Sequence, residues 1–452
     1  MYHSNTVGGA PPLMLKPEQN RALMEVGPGT LMGELMRRYW MPFAAVGEMD
    51  KQSTRTVRLL GEDLVLYKDL SGNYGLVDRH CPHRRADMSY AWVEECGLRC
   101  NYHGWKFDHT GACIHQPFEE VSHPDARFKD RITIKSYPVA AHAGLLWAYM
   151  GPLPAPLVPN WEPFTWSNGF IQIVMTEIPC NWFQCQENSI DPVHFEWLHD
   201  SWGARLRRQI DGPAPPTHLR IRFEEFDYGF KYQRIREGQT EQDELWTVGR
   251  VCLWPNCLFT GNHFEWRVPV DDEHTLSVGW FFDRVPEEME PFRQERIPWW
   301  YGPLTDASTG RWLDSHVMNQ DFVAWVGQGT VADRTQEHLG ESDRGVILMR
   351  KRMLEEAEVV RAGGAPKALI WDEAVNKRVE LPIIDRDFFI SGFSITDVVE
   401  GRTRGPRYSR SFVFQAGQPA EITAAYREAM GIDRVEQLEA SATSASANGA
   451  AR

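Results

Sequence analysis

An apolar stripe at Leu31, Leu35 and Met36 follows the turn Gly27-Pro28-Gly29-Thr30 and predicts a helix reaching Tyr39, stopped by Pro42. The period then changes. From 46 to 151 the chain alternates short β-rich runs, at 56–60, 63–67, 74–77, 132–139 and 145–150, with turn residues, the pattern of a small antiparallel domain. The stretch Pro152-Leu153-Pro154-Ala155-Pro156 interrupts it, and a second set of strands is predicted at 171–177, 219–223, 229–234, 247–253, 264–270 and 275–282. Within that set His263, Glu265 and Arg267 alternate with Phe264, Trp266 and Val268, which predicts a sheet with one covered face and one wet face. Late helices are predicted from a cap at Asp314-Ser315 through His316, Asp321 and Trp325, and over 343–361 with Gly363-Gly364 as the stop. The first fifteen residues read as a flexible lead-in, and the Ala, Ser, Thr, Asn and Gly beyond Glu439 predict disorder. The chain divides into a lead-in and helix (1–45), a small β domain (46–155), a larger sheet domain (156–390), a C-terminal extension (391–438) and a tail (439–452), an α+β protein.

Composition narrows the function. Hydrophobic residues at 42% and charged residues at 24% are globular values, and 18 Trp with 22 Phe predict aromatic-lined packing or pockets. The formal net charge of -14 argues against nucleic acid and anionic membranes as partners, since both need a basic surface. It leaves room for a small anionic substrate held by a few local arginines. No apolar run is long enough to span a membrane and Met1-Tyr2-His3-Ser4-Asn5 begins no signal peptide, so a cytoplasmic location is expected. The eight cysteines are scattered, and in a cytosolic chain their spacing to histidines matters more than their number. With no Rossmann or P-loop pattern, any nicotinamide or flavin must act through another protein.

The stretch 187–199 carries His194 and His199 beside Asn188 and Asp191. Neutral imidazoles suit iron, zinc or copper, but on a regular helix, at about 100° per residue, these two histidines sit about 140° apart. Both can face one metal only where the helix is widened, as in a π-bulge, or ends between them. The competing reading makes Asp191 a helix N-cap with Pro192 at the first helical position, and the histidines ordinary. Upstream, Cys81-Pro82-His83-Arg84 and Cys100-Asn101-Tyr102-His103-Gly104-Trp105 each offer one thiolate and one imidazole. Zinc in a Cys₂His₂ site and a [2Fe-2S] cluster both accept that donor set. Mixed arms suit two cysteines on one iron and two histidines on the other, the Rieske arrangement, better than they suit a zinc finger. A third ligand for His194 and His199 should be a carboxylate, and Asp314, Asp321, Asp333 and Glu337 compete for that place. The run Arg205-Leu206-Arg207-Arg208 reads first as a solvated cluster, with capture of a substrate carboxylate or docking of an acidic electron-transfer partner as its alternative. Arg250 and Arg267 are secondary candidates for the same task.

Together, and in the expected order, these motifs resemble those of the Rieske non-heme iron aromatic-ring oxygenases: 81–84 with 100–107 as the cluster motif, and 188–194 with His199 as the mononuclear iron motif. The likeness runs from about residue 20 to about 390, and 333–340 with the helix that follows is similar to the phthalate dioxygenase and aromatic O-demethylase branch. Arg85 and Asp87 depart from the pattern, standing where many members carry glycine and proline. The resemblance implies an N-terminal antiparallel β Rieske domain and a C-terminal helix-grip antiparallel sheet around a mononuclear iron. It implies Cys81 and Cys100 on one iron of the [2Fe-2S] cluster, and His83 and His103 on the other. It implies His194, His199 and, from the likeness of 319–322 to the family's late ligand helix, Asp321 on a non-heme Fe(II), with Asn188 beside that iron. Asp191 is then expected to bond His194 and to reach His103 of the next subunit in a homotrimer or a multiple of it. The function so implied is a terminal oxygenase that uses O2 and electrons ultimately from NAD(P)H, supplied by a separate reductase with or without a ferredoxin. O-demethylation of a methoxylated aromatic carboxylic acid, releasing formaldehyde, is the reaction expected. The alternative is cis-dihydroxylation of a phthalate-like or phenoxybenzoate-like acid; outside the class stand a Rieske electron carrier and a zinc-stabilised binding module.

Overall fold

Thr30 accepts a hydrogen bond from the Gly33 amide and so caps a helix at Leu31–Met36, whose Met32, Leu35 and Met36 are fully buried. The computed structural model describes residues 15–402 and 415–449, with side chains to residue 440. In it this helix packs, with Pro17–Met24, against the long helix Arg344–Arg361. All but the last residue of the expected flexible lead-in lies outside the described residues.

The β-rich segment forms three small antiparallel sheets. Trp40–Ala45 pairs with Leu145–Tyr149, which pairs with Val139–His142. Thr54–Leu59, Glu62–Lys68, Tyr74–Asp78 and Ser136–Tyr137 make the second sheet. The third, Trp92–Glu94, Gly97–Arg99, Lys106–Phe107 and Cys113–His115, consists of strands too short to show a hydrophobic period. Two expectations shift here. Trp40–Ala45, placed with the lead-in by its sequence pattern, belongs to this β unit, and the strand predicted at 132–139 is interrupted by Pro138, which lacks an N–H.

The sheet of the larger unit has eight strands, in the order His218–Phe226, Gly229–Arg236, Arg250–Leu253, Cys257–Phe259, His263–Pro269, Thr275–Arg284, Gly169–Ile178 and Trp299–Tyr301. All neighbours are antiparallel except the last pair. The strand predicted from 247 begins at Arg250, because Glu244–Thr247 is a helical turn closed by Gly249 at φ +78°. The expected wet face of the strand His263–Pro269 is buried: His263, Glu265 and Arg267 are 1%, 1% and 0% exposed. Its aromatic side packs on the N-terminal β unit, with Trp266 edge-on to Trp147 at 5.2 Å. The polar side is covered as well. The Arg267 guanidinium lies over the Trp325 ring of the helix Val317–Gly327, and His263 and Glu265 line a cavity shared with Asn188 and Asp321.

One apolar core continues from Leu23 through Trp147 to Trp280, joining the two units; another sets Phe170 and Phe281 against Tyr426 and Met430 of the C-terminal extension. A third, including Tyr67, Met88, Leu98 and Phe107, lies under Cys81 and Cys100. The closing helix Ile432–Gly449 runs through most of the stretch where composition predicts disorder; Ala, the strongest helix former, recurs along it. Residues 450–452 of that tail lie outside the described residues. Among the described residues no helix is long and apolar enough to cross a membrane.

Candidate active site

Cys81 and Cys100 open two loops of one design. In each, the cysteine carbonyl accepts the amide four residues on, from Arg85 at 2.9 Å and from Gly104 at 3.0 Å, and the cysteine amide donates to the carbonyl five residues on, Ala86 or Trp105. That geometry puts the fourth residue in the left-handed region: Gly104 at φ +77°, Arg85 at φ +60°. Arg85 therefore occupies the glycine place of the matching loop. Both thiols are buried and in mutual contact; Cys100, accepting from the Cys81 S–H, is lowered to about 6, while Cys81 is pushed far up. A bound metal cation deprotonates such thiols outright. The His83 and His103 rings meet edge to face at 4.5 Å, and His83 stacks on Trp105 at 4.2 Å. Among the described residues His83 Nδ1 is buried with no hydrogen-bond partner, which is costly unless the nitrogen serves a metal. Two thiols and two imidazoles on facing loops fit a Cys₂His₂-ligated [2Fe-2S] cluster.

Asn181 caps the helix Trp182–Asn188 by accepting the Phe183 amide. Asp191 makes the contacts of a helix cap and also comes close to the His194 ring. Its Oδ1 accepts the amides of Val193 (2.8 Å) and His194 (3.4 Å), the bonds of an N-cap, while Oδ2 lies 3.5 Å from His194 Nδ1. Phe195–Trp202 is a π-helix, the irregularity expected between the two histidines. Its i to i+5 bonding lays His199 nearly over His194, with ring centres 5.3 Å apart. Glu196 ties this helix to the edge strand by accepting the Thr217 and His218 amides and the His218 ring, and Asp200 pairs with Arg236.

From Val317–Gly327, Asp321 Oδ1 reaches to 3.8 Å from His194 Nε2 and 3.3 Å from His199 Nε2. One ligand atom from each of the three lies within 4.8 Å of the others, a two-His-one-carboxylate set. His199 Nδ1 donates to Gln320 Oε1 at 3.0 Å, which turns Nε2 toward Asp321, and Asn188 Nδ2 donates to Asp321 Oδ1 at 3.1 Å. Burial opposes charge on both partners, yet the two imidazoles hold the Asp321 carboxyl below its usual range, and Asp321 with Gln320 lifts His199 above its own. Of the competing acids, Asp333 turns the backbone at Thr335 and Glu337 pairs with Arg350, while the Asp314 backbone carbonyl accepts from Gln320 Nε2; the group of possible metal ligands contains Asp321. Glu187 is held by Arg334 and Arg350 at 2.7 and 2.6 Å, a buried ion-pair group behind the triad.

A cavity of about 80 Å³ reaches the triad. Phe195, Leu258, Val317 and Met318 give it apolar walls, and Arg250, Tyr232, Thr260, His263 and Glu265 polar ones. The Arg250 guanidinium lies 5.0 Å from the centre of the Phe195 ring. Burial, opposed by Arg267 and aided by Asp321, pushes the Glu265 carboxyl up to about 7.

Residues 39–138 match the family described as Rieske [2Fe-2S] domain, and 287–379 the family described as LigXa C-terminal domain like. The chain is 58% identical over 421 residues to the 5,5'-dehydrodivanillate O-demethylase oxygenase subunit of Sphingobium sp. (strain NBRC 103272 / SYK-6), covering 93% of this chain and 98% of that one. The chain belongs to the Rieske non-heme iron oxygenases. The oxygenase is also 32% identical over 395 residues to the phthalate 4,5-dioxygenase oxygenase subunit of Pseudomonas putida, across 77% of this chain and 88% of that one. Among solved structures, the reduced complex between oxygenase and ferredoxin in carbazole 1,9a-dioxygenase aligns with a TM-score of 0.51 over 76% of this chain and 94% of that one, at 19% identity, and shares the fold. The oxygenase carries a Rieske [2Fe-2S] domain and, as a member of that family, a mononuclear iron site.

Of the arginines weighed for the substrate, 205–208 are exposed, Arg267 is buried against Glu265 at 2.9 Å, and Arg250 lines the cavity. Sequence reasoning passed over Gln320, Tyr232 and Thr260, and took His263 and Glu265 for a solvent face. The available signal was a His-x-Glu-x-Arg alternation on a strand set among aromatic runs, an expensive set of groups to bury except around a pocket.

Proposed function

We propose that this oxygenase O-demethylates a methoxylated aromatic carboxylic acid, releasing formaldehyde. The observation that carries the reading is that Arg250 lines the same cavity as His194, His199 and Asp321. A carboxylate paired with that guanidinium lays the ring along Phe195, Leu258 and Met318 and turns a ring substituent to the triad. The similarity to a 5,5'-dehydrodivanillate O-demethylase supports the same chemistry, and the lower identity to a phthalate 4,5-dioxygenase makes cis-dihydroxylation the weaker alternative.

In this reading Cys81 and Cys100 hold one cluster iron and His83 and His103 the other, and His194, His199 and Asp321 hold the mononuclear Fe(II). When bound, the cluster supplies electrons singly and the ferrous ion supplies open positions for dioxygen. Gln320 keeps the His199 ring turned with Nε2 inward, and Asn188 donates to Asp321 Oδ1, the oxygen that faces both imidazoles, and so fixes the rotation of the carboxylate. The apolar walls exclude water from the methyl group. Hydroxylation of that carbon gives a hemiacetal, whose collapse breaks the C–O bond to the ring oxygen and yields a phenol and formaldehyde. Asp191 links His194 to His103 of the next subunit in a head-to-tail homotrimer or a multiple of it, and the electrons come from NAD(P)H through a cytoplasmic reductase, with or without a ferredoxin.

The test is product analysis on purified protein supplied with a reductase, NADH, O2 and a panel of aromatic acids. Formaldehyde equimolar with a free phenol is expected from methoxylated acids. A cis-diol from a phthalate-like acid, with no formaldehyde from any methoxylated one, overturns the reading.

A further inference from the structure

Runs of π-helix are rare, so Phe195–Trp202 needs something outside itself to hold its wider pitch. A second stripe of the same helix supplies it. Glu196 accepts the Thr217 and His218 amides, the latter at 3.2 Å, and pairs with the His218 ring, while Ser201 Oγ accepts the Ala214 amide at 3.1 Å. Both residues are 5% exposed, and both hold one short piece of chain, 214–218. That piece is itself fixed to the neighbouring strand Gly229–Arg236: Arg236 Nε donates to Thr217 Oγ1 at 3.0 Å, and the Glu237 amide donates to the Thr217 carbonyl at 2.7 Å. From the same strand Arg234 donates to the Pro192 carbonyl at 3.3 Å and lies over the Phe195 ring, which holds the start of the helix as well.

Glu196 and Ser201 are five residues apart, and so are His194 and His199. On a regular α-helix residues so spaced stand about 140° apart, whereas i to i+5 bonding brings them to one face. An α-helical 195–202 would satisfy one of the two tethers and aim one of the two imidazoles. The tether stripe and the ligand stripe therefore demand the same pitch, and the tethers meet that demand with hydrogen bonds between protein groups. At that pitch His199 Nε2 lies 3.3 Å from Asp321 Oδ1. We propose that Glu196 and Ser201 are positioning residues that set the π pitch and through it turn His199 to the iron. The Gln320 bond then fixes the rotation of a ring that the tethers have brought to the right face. This rests on the assignment of His194, His199 and Asp321 to the iron, and it names what builds their geometry.

The experiment gives the cluster-loaded protein Fe(II) and nitric oxide under argon, with the Rieske cluster oxidised and so diamagnetic. Electron spin echo modulation of the iron nitrosyl counts the coordinated imidazoles, and a graded chelator reads Fe(II) retention. Two imidazoles are expected in the wild type. Glu196→Leu combined with Ser201→Ala lets the helix relax: one imidazole is expected, with an unchanged cluster spectrum and Fe(II) retention lower by roughly tenfold to a hundredfold, the usual cost of losing an orienting partner. Glu196→Gln and Ser201→Thr, which keep an acceptor oxygen at each tether, keep both imidazoles. Trp197 is 42% exposed, and deleting it from the double variant puts the histidines four apart, neighbours on a regular helix. The second imidazole then returns, a rescue that mere destabilisation does not give. Two imidazoles with wild-type retention in the double variant overturn the proposal, and so does a deletion that returns no imidazole. Where the double variant fails to fold, Ser201→Ala alone decides: a loss of retention of roughly fivefold, the worth of one hydrogen bond, is expected, and wild-type retention overturns the proposal. Iron without any imidazole in the wild type overturns the metal assignment and this inference with it.

Discussion

Gln320 supplies the most informative perturbation, because it touches the proposed metal site only through His199. Its Oε1 accepts from His199 Nδ1 at 3.0 Å, its Nε2 donates to the Asp314 carbonyl at 3.1 Å, and the side chain is 2% exposed. Gln320→Leu removes both bonds at similar volume. The buried imidazole N–H left without a partner costs about 1–3 kcal/mol. Loss of a partner that orients a ligating histidine generally lowers metal affinity about 10–100-fold, which is roughly 1.4–2.7 kcal/mol, so the two routes agree. The assay loads wild type and variant with Fe(II), then follows iron retention against a graded chelator while visible absorption reports the Rieske cluster. Weaker retention by one to two decades with an unchanged cluster spectrum is expected, and Gln320→Glu, which keeps an acceptor for Nδ1, recovers most of it. Wild-type retention in the leucine variant refutes the orienting role, and parallel loss of the cluster refutes its being local.

Arg85→Gly should stabilise the protein. A non-glycine residue in the left-handed region costs about 1–2 kcal/mol, glycine returns part of that in backbone entropy, and the exposed Arg85 side chain has only a 3.9 Å contact with Asp78 to lose. A rise in melting temperature is expected, and a marked fall contradicts the account. Asp283 tests linkage: burial pushes its carboxyl up to about 7 against a hydrogen bond from Asn262 at 3.2 Å. A native pKa above the unfolded value of about 3.9 means that the native state holds the extra proton, so stability falls as pH rises from about 4 to about 7 and levels off above. Asp283→Asn should flatten that stretch of the curve of melting temperature against pH; an unchanged slope assigns it to other groups. Asp191→Ala should keep iron and cluster, both quantified in the purified protein, but lose most coupled turnover, and normal turnover removes Asp191 from the electron path.

What could be read in the chain was what is local. The Cys-x-His and Cys-x-x-His arms declare a donor set over a few residues, and the mismatch of His194 and His199 with a regular helix foretold the π-helix Phe195–Trp202. Asp321 lies far along the chain and was separated from Asp314, Asp333 and Glu337 by resemblance; the fold then brings it within 3.3 Å of His199 Nε2. Period gave the face on which His263, Glu265 and Arg267 sit but not what covers it, because the cover is Trp325 and the cavity, both contributed by distant elements. Arg250 stood second to the run at 205–208 for a similar reason: clustering of charge is visible in a sequence, whereas access to a cavity is not. The four-stranded sheet between Trp92 and His115 escaped notice because two- and three-residue strands carry no period. The tail ran the other way, its low-complexity composition concealing the helical propensity of its alanines.

The central claim is that one cavity joins a His194–His199–Asp321 iron site to a methoxylated acid, with electrons arriving through the Cys81–His83–Cys100–His103 cluster. A single-turnover experiment tests it most directly. Protein reduced chemically, freed of reductant and mixed with O2 and 4-hydroxy-3-methoxybenzoate should release formaldehyde in proportion to its mononuclear iron. Asp321→Ala should release none while keeping its Rieske spectrum. Failure of fully loaded protein to release formaldehyde, or undiminished release from Asp321→Ala, contradicts the account.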